Sequence, residues 1–233
     1  VDSTADLSSI REVFDRTIAQ VPVIEEKRHW RRYIYLLLFY ATFEEFVAKD
    51  RGRALAVLQT ALRLIPHQQF TFTKLWTHLA NFHLRGGDVA GARKAFGQAI
   101  GLSSANGSKS PKSSIFTRYI QMELDLREFD RSRALYERHL SLDPGKAVTW
   151  VKFAELERLL LDDERARMIL QLACDQPLLD VPELAWKAAI DFEFENGDHD
   201  KMRELYEQLL ERAGFHLKIW VSFANMELLC AND

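Results

Sequence analysis

Glutamates recur along this chain of 233 residues at a spacing that suits either acid–base chemistry or buried ion pairs. They stand at Glu44, Glu123, Glu157, Glu193 and Glu227, each seven residues after a bulky hydrophobic residue. A row of carboxylates could supply general acids, but a carboxylate on an apolar helical stripe is costly to bury unless a cation pairs with it. Arginines recur as well, at Arg11, Arg93, Arg133, Arg167 and Arg203. We therefore predict repeated Glu–Arg or Glu–Tyr clamps and no catalytic residues.

The other reactive residue types lack the spacing of a metal, cofactor or catalytic site. His78 and His83 are five residues apart, which separates them by about 140° around a helix, too far to share one ion. Cys174 and Cys230 lie in apolar stretches without a CxxC pattern, so we expect buried, reduced thiols in a reducing compartment. His67 follows a proline, where a structural hydrogen bond is the better interpretation. We predict no metal, no cofactor and no enzymatic activity.

The bulk composition favours a helical protein and argues against broad electrostatic binding of nucleic acid. The chain has 31 basic and 34 acidic residues and a net charge of −3, whereas electrostatic binding of nucleic acid needs a basic face. Only 10 glycines and 6 prolines are present, which suits long helices. The longest apolar run, residues 33–40, is shorter than the ~18–20 residues of a membrane span, so no membrane partner is expected. Because the chain begins with Val1, we interpret it as an excised fragment.

A self-similar pattern organises the whole chain and positions the glutamates. Its lead residues are Leu37, Trp76, Phe116, Trp150, Trp186 and Trp220, separated by 39, 40, 34, 36 and 34 residues. A period near 35–40 residues is typical of stacked helical hairpins. The lead residue, the residues at +3 and +4 and the glutamate at +7 lie on one stripe of a first helix. The tryptophans are therefore predicted to be core residues.

A second helix repeats as well. Its key positions are Phe14, Leu58, Phe96, Tyr136, Leu170 and Tyr206, and each of the last five follows a lead residue by 20 or 21 positions. We predict an all-α, right-handed superhelix of about six repeats over residues 1–233, cut in mid-repeat at both ends. The stretch Gly101 to Ser114 is rich in Ser, Gly, Asn and Lys and is predicted to be a mobile inter-repeat loop.

Two repeats depart from the clamp pattern. His83 replaces the glutamate in a repeat that keeps Arg93, and Leu55 replaces the arginine in the repeat that keeps Glu44. Because we pair the glutamate and arginine of the same repeat, we expect both clamps to be weaker and expect Arg53 to substitute for Leu55.

The two helices together resemble the half-a-TPR (HAT) repeat, with the pattern Trp-x2-Tyr/Phe-Ala-x2-Glu followed by Arg-x2-Tyr/Phe-Glu-Arg-x-Leu. Longer blocks, at residues 26–36, 64–67, 126–131, 150–157 and 180–193, are similar to the crooked-neck family of pre-mRNA splicing factors. The resemblance implies a nuclear, non-enzymatic scaffold that holds protein partners of the Prp19-associated (NineTeen) complex. It also implies that dimerisation is possible, because HAT arrays can dimerise.

The N-terminal part of the first complete repeat is the candidate partner-binding surface. Trp30 extends the apolar stripe one further turn, and Arg28, Arg31 and Arg32 flank it; Trp and Arg are enriched at interface hot spots. Packing against the preceding hairpin is the alternative for Trp30, and contact of the arginines with RNA phosphate is a secondary one. Two other functions stay open: an RNA-binding HAT protein of 3′-end cleavage or ribosomal RNA maturation, and a general peptide-binding helical repeat.

Overall fold

The structure, a computed structural model, describes residues 3–23, 26–67, 72–105, 112–214 and 216–230. In these ranges the chain forms twelve α-helices and no β-strand. Their bounds are α1 (Ser3–Ile18), α2 (Lys27–Phe46), α3 (Arg51–Leu64), α4 (Thr73–Arg85), α5 (Val89–Ala105), α6 (Ser113–Asp125), α7 (Phe129–Leu142), α8 (Ala147–Leu159), α9 (Asp163–Cys174), α10 (Pro182–Glu195), α11 (His199–Ala213) and α12 (Leu217–Cys230). The predicted all-α class is confirmed.

The even-numbered helices carry the lead residues and are called A helices; the odd-numbered helices carry the second pattern and are called B helices. The chain divides into two compact units, Val1–Leu126 and Arg127–Asp233. Within each unit an A helix packs against the B helix before it, the B helix after it and the neighbouring A helix, as in the contacts of α4 with α3, α5 and α2. Contacts between near neighbours in the sequence are the hallmark of a helical repeat. The predicted repeat architecture is therefore present in both units.

Every A-to-B turn uses the same backbone geometry. One residue in each turn has a positive φ: Lys49 (56°), Gly87 (75°), Arg127 (58°), Leu161 (61°) and Gly197 (70°). In four of these turns the following residue is an aspartate whose N–H donates to the backbone carbonyl of the +7 residue, as in Asp162 N to Glu157 O at 2.9 Å. This left-handed ending satisfies the last carbonyls of the A helix. The aspartate then caps the B helix, where Asp162 Oδ1 accepts from the N–H of Arg165 at 3.1 Å.

The A helices differ in length in the way that the apolar stripe predicts. α2 has 20 residues, whereas α4, α6 and α8 have 13 each. The early start places Trp30 in the first turn of α2. The additional turns of α2 extend this helix beyond the N-terminal ends of its A-helix neighbours.

The segment predicted to be a loop is partly helical. α5 continues through Ala105, and α6 begins at Ser113. Residues 106–111 lie outside the described residues, so the remainder of that prediction stays untested. Across the described ranges, no helix is both long enough and apolar enough to cross a membrane.

Replacing Leu161 by glycine is expected to stabilise the protein. Leu161 has φ 61° and a side chain that is 88% exposed, so its left-handed backbone is strained while its side chain buries almost nothing. Relief of this strain, partly offset by the entropy of glycine in the unfolded chain, should raise the free energy of unfolding by about 0.5–1 kcal/mol in urea denaturation.

The control is Leu159→Gly, at a helical residue whose side chain is 82% exposed. That change should lower the free energy of unfolding by about 0.5–1 kcal/mol, because glycine disfavours the helix. Equal effects of the two substitutions would contradict the proposed strain at Leu161.

Candidate functional site

The repeated glutamates and arginines form ion pairs between successive repeats. Each arginine on a B helix meets the glutamate of the next A helix in the chain. The pairs, each with two charge-assisted hydrogen bonds or more, are Arg11–Glu44, Arg93–Glu123, Arg133–Glu157, Arg167–Glu193 and Arg203–Glu227. We call these five pairs the clamps.

The clamp between α7 and α8 illustrates the geometry. Nε of Arg133 donates to Oε1 of Glu157 at 2.9 Å, and Nη2 donates to Oε2 at 2.6 Å. The carboxylate is fully buried, whereas the arginine side chain remains 23% exposed. A second guanidinium, that of Arg165, lies 3.3 Å from Glu157 Oε1. The hydrogen bonds that Arg133 donates to Glu157 raise the pKa of Arg133. The bidentate pairing neutralises the buried charge and joins two helices.

The register of the clamps corrects the predicted pairing. We paired glutamate and arginine of one repeat, which predicted weak clamps at Glu44 and Arg93. Both residues instead have full partners, Arg11 and Glu123, in adjacent repeats. Arg53, the predicted substitute, is a secondary neighbour, with Nε 3.4 Å from Glu44 Oε1. The pairing was wrong because helix hairpins stack, and a B helix faces the following A helix as well as its own.

The two departures from the pattern become one when the register is corrected. Leu55 on α3 and His83 on α4 occupy the arginine and glutamate positions of the contact between these two helices. Both charged residues of that clamp are therefore replaced together. Another buried carboxylate supplies the ionic contact in this part of the chain. Glu45, 3% exposed, accepts two hydrogen bonds from Arg85 at 2.9 and 2.6 Å and one from Arg51 at 3.1 Å. The bonds from Arg85 are the main cause of the lowered pKa of Glu45.

Aromatic stacks follow the same register as the clamps. The key position of a B helix stacks on the +3 position of the next A helix, nearly parallel, in Phe14–Tyr40, Phe96–Tyr119, Tyr136–Phe153 and Tyr206–Phe223. Their ring centroids lie 4.5, 5.1, 5.1 and 4.6 Å apart, at the close end of the range for favourable ring pairs. Burial raises the pKa of Tyr40 and of Tyr136 to about 12, so both phenols stay protonated at neutral pH.

The lead tryptophans are not equally buried. Trp76 and Trp186 are core residues, and Trp150 is half-buried with its Nε1 donating to Pro144 O at 2.8 Å. Trp220 is 51% exposed, which contradicts its prediction as a core residue, although its Nε1 donates to Gly214 O at 3.0 Å. Among the described helices α12 packs against α11 alone, whereas α10 packs against α8, α9 and α11. The lower coverage of α12 explains the exposure.

The predicted partner-binding residues separate into a buried aromatic and three exposed cations. Trp30 is only 6% exposed and lies edge-to-face with Tyr33 at 6.0 Å. The hydroxyl of Tyr33 in turn donates to Ile18 O on α1 at 2.7 Å. The indole is therefore a packing residue and offers no docking face. Arg28, Arg31 and Arg32 are exposed, and the guanidinium of Arg31 lies 5.8 Å from the centroid of the Tyr35 ring.

The thiols and histidines have structural environments. Burial raises the pKa of Cys174 to about 12, which keeps it a thiol, and Cys230 Sγ lies 3.2 Å from His199 Nδ1. His67 Nε2 contacts Leu62 O at 2.7 Å, the kind of hydrogen bond expected after Pro66. Within the residues that the structure describes, no group of three or more His, Cys, Asp or Glu side chains could hold a metal ion.

Comparison with known proteins assigns these repeats. The family model of the PRP39 C-terminal HAT repeat matches residues 106–228, more than half of the chain. The chain belongs to the HAT-repeat family. The clamps and the aromatic stacks are thus contacts between successive HAT repeats.

Individual HAT proteins are similar over nearly the whole chain. The pre-mRNA-splicing factor CLF1 of Pyricularia oryzae is 51% identical over 97% of this chain and 32% of its own length. Crooked neck-like protein 1 of Mus musculus is 50% identical over 98% of this chain and 32% of its own length. The pre-mRNA-splicing factor cwf4 of Schizosaccharomyces pombe is 46% identical over 100% of this chain and 33% of its own length. The predicted resemblance to the crooked-neck family is confirmed, and the chain spans about a third of these relatives.

Breaking a HAT clamp is expected to cost much more stability than breaking a surface ion pair. In Glu157→Gln, the amide cannot neutralise Arg133 and Arg165, so the free energy of unfolding should fall by about 2–4 kcal/mol. Urea denaturation followed by circular dichroism measures this loss. Arg167→Met, which leaves the buried Glu193 without its cation, should have a comparable effect.

Glu195→Gln is the matched control, because the Glu195–Arg158 pair lies in the same unit with side chains that are 53% and 43% exposed. Its loss should stay below about 1 kcal/mol. Equal losses for Glu157→Gln and Glu195→Gln would show that the buried clamps add nothing beyond a surface pair.

The ion pair of Glu45 predicts a component of acid sensitivity. Because the pKa of Glu45 is lowered from 4.5 in the folded protein, its stabilisation is fully present above that pH and is lost as the pH falls through the folded value. The difference in unfolding free energy between the protein and Glu45→Gln should therefore shrink below pH 4.5. Chemical denaturation between neutral and strongly acidic pH measures it.

The neighbouring groups provide the control for this pH dependence. Burial lowers the pKa of His78 and of His139 from 6.5, so loss of stability at milder acidity belongs to these two histidines. In an Arg85→Met background the pH-dependent difference caused by Glu45→Gln should diminish, because Arg85 is the main cause of the lowered pKa. A difference that is constant with pH would contradict the assignment.

Proposed function

We propose that this chain is part of a non-enzymatic scaffold in pre-mRNA splicing, located in the nucleus, which holds protein partners during assembly and activation of the spliceosome. The observation that carries the proposal is the identity of about 50% to crooked-neck splicing factors over nearly the whole chain. Members of the Prp19-associated complex are the partners that we expect, as the resemblance to the crooked-neck family implies.

The chemistry of the repeats supports a binding role. The five repeated carboxylates accept hydrogen bonds from arginines, so their charge is committed to holding helices together. Within each unit, the remaining exposed positions of the stacked helices provide the kind of surface that helical repeats use to bind extended segments and helices of other proteins.

An affinity experiment with nuclear extract tests the proposal. The immobilised chain should recover splicing proteins, identified by quantitative mass spectrometry, at levels well above those recovered by an unrelated folded helical-repeat protein. Crosslinking within the recovered assembly would then map the partners onto individual repeats. Recovery of the same proteins by both baits would indicate a general peptide-binding repeat instead.

An RNA gel shift distinguishes the proposed protein-binding scaffold from an RNA-binding HAT protein. A chain of net charge −3 that acts through protein partners should bind RNA weakly, and any binding should be similar for unrelated sequences. Tight binding with a steep dependence on salt, together with absence of splicing proteins from the affinity experiment, would favour a HAT protein of another RNA-processing complex.

A further inference from the structure

A small basic groove lies at the N-terminal side of three successive A helices in the first unit. Its cations are Lys27 and Arg31 on α2, Lys74 on α4 and Lys112 directly before α6. Together with the apolar residues Ile34, Leu38 and Phe72, which we call its floor, they line a cavity of about 250 Å³. We call this the basic groove. Thr73 Oγ1 and Ser114 Oγ, 3.1 Å apart, connect α4 and α6 at its edge.

The basic groove is positively charged, whereas the chain as a whole has a negative net charge. The chain carries an excess of three acidic residues, yet none of the described residues that line the groove is an aspartate or glutamate. Among the described residues, no carboxylate lies within ion-pair distance of Lys27, Arg31 or Lys74. These three neighbouring cations therefore repel each other and favour the binding of an anion. The groove is therefore a site of concentrated positive potential.

Tyr35 lies among these cations and reports their effect. Its hydroxyl accepts a hydrogen bond from Lys74 Nζ at 2.6 Å, and Lys74 Nζ and the Arg31 guanidinium are 5.0 and 5.8 Å from the ring centroid. The hydrogen bond from Lys74 is the main cause of the lowered pKa of Tyr35, and the positive charge of Arg31 acts in the same direction. Lys74 is thereby held in a defined position at the groove.

The repeat alignment explains why these residues meet. Tyr35, Lys74 and Ser114 each stand two positions before a lead residue of the HAT pattern. Positions that are equivalent in successive repeats lie side by side on neighbouring A helices, and α2 contacts α4, which contacts α6. The −2 position lies outside the stripe that forms the clamps and the core, so its residue type is free to serve recognition. The early start of α2 adds Lys27 and Arg31 to this row.

We propose that the basic groove binds an acidic linear segment of a partner protein, with Asp or Glu carboxylates on Lys27, Arg31 and Lys74 and one apolar side chain on the Ile34–Leu38–Phe72 floor. The proposal rests on the proposed function as a holder of protein partners and specifies the chemistry of one of them. Charge complementarity selects an acidic ligand. The floor favours a peptide over RNA, because RNA bases bind mainly by stacking on aromatic rings, whereas Ile34 and Leu38 are aliphatic and the Tyr35 ring is already faced by cations.

Fluorescence anisotropy with the whole chain tests this assignment. The probe is a labelled twelve-residue peptide of Asp and Glu with a central leucine; the comparison ligands are the same peptide with Gln for every acid and a twelve-nucleotide oligouridine. The acidic peptide should bind with an affinity that falls with salt. The Gln peptide should not bind detectably, and the RNA should bind more weakly than the acidic peptide.

Paired charge substitutions in the first unit sharpen the test. Arg31→Gln with Lys74→Gln should weaken peptide binding roughly tenfold or more, while Arg63→Gln with Lys94→Gln should leave it unchanged. Arg63 on α3 and Lys94 on α5 are exposed cations that do not line the groove. Unchanged helicity and melting temperature establish that both variants are folded. Equal weakening by the two variants, tighter binding of RNA, or no binding of the acidic peptide would each overturn the proposal.

The affinity experiment with nuclear extract separates this proposal from the broader one. If the Arg31→Gln/Lys74→Gln variant recovers every splicing protein as well as the original chain does, the groove is not a partner site and the scaffold function stands. If the original chain recovers no splicing protein while the acidic peptide still binds the groove with the expected specificity, the splicing function fails and the groove chemistry stands.

Discussion

The buried ion pair between one HAT repeat and the next is the interaction on which the two units depend. A single hairpin has an unfavourable surface, because its A helix presents a carboxylate in the middle of an apolar stripe. The carboxylate becomes acceptable only when the arginine of the preceding B helix covers it, as Arg133 covers Glu157 through three hydrogen bonds of 2.6–3.1 Å. A hairpin therefore requires a neighbour in one specific register. Apolar packing alone would tolerate a shift of one helix along another, whereas a bidentate pair does not.

The aromatic stack and the clamp act on the same helix pair from adjacent turns. In α7 and α8, Tyr136 stacks on Phe153 at 5.1 Å, and Arg133 and Glu157 are each about one helical turn from these rings. Two contacts of different physical character thus fix both the distance and the rotation of the helices. The turn after the A helix is coupled to the clamp through Glu157. The backbone carbonyl of Glu157 accepts a hydrogen bond from Asp162 N, and its carboxylate accepts from Arg133. One residue joins the end of its helix to the preceding repeat.

The helices and the existence of Glu–Arg pairs could be predicted from the sequence. The register of the pairs was predicted wrongly, although the sequence contained the information needed to assign it. The period, the residue types and the start of α2 were sufficient to predict the helices and the presence of Glu–Arg pairs. The pairing within repeats was wrong, although residue classes already contradicted it. It would have placed Tyr40 opposite Leu58, whereas pairing with the previous B helix matches Tyr40 with Phe14 and assigns Leu55 and His83 to one joint. The burial of Trp30 and the exposure of Trp220 depend on which helices cover them, and local periodicity does not contain that information.

The basic groove could not be found from sequence for a related reason. Lys27, Arg31, Lys74 and Lys112 are spread over 86 positions of a chain with a net charge of −3, and no local window is markedly basic around all of them. They meet because stacking converts a separation of one repeat in sequence into the distance between neighbouring A helices. The stacking of repeats also brings together the glutamates and arginines of the clamps, but at those positions the HAT pattern fixes the residue type. At the −2 position the pattern demands nothing, as the series Tyr35, Lys74 and Ser114 illustrates. Positions that the fold leaves unconstrained are those where a HAT array can encode a choice of partner, and the gathering of Lys27, Arg31 and Lys74 beside this row is the feature that folding alone does not explain.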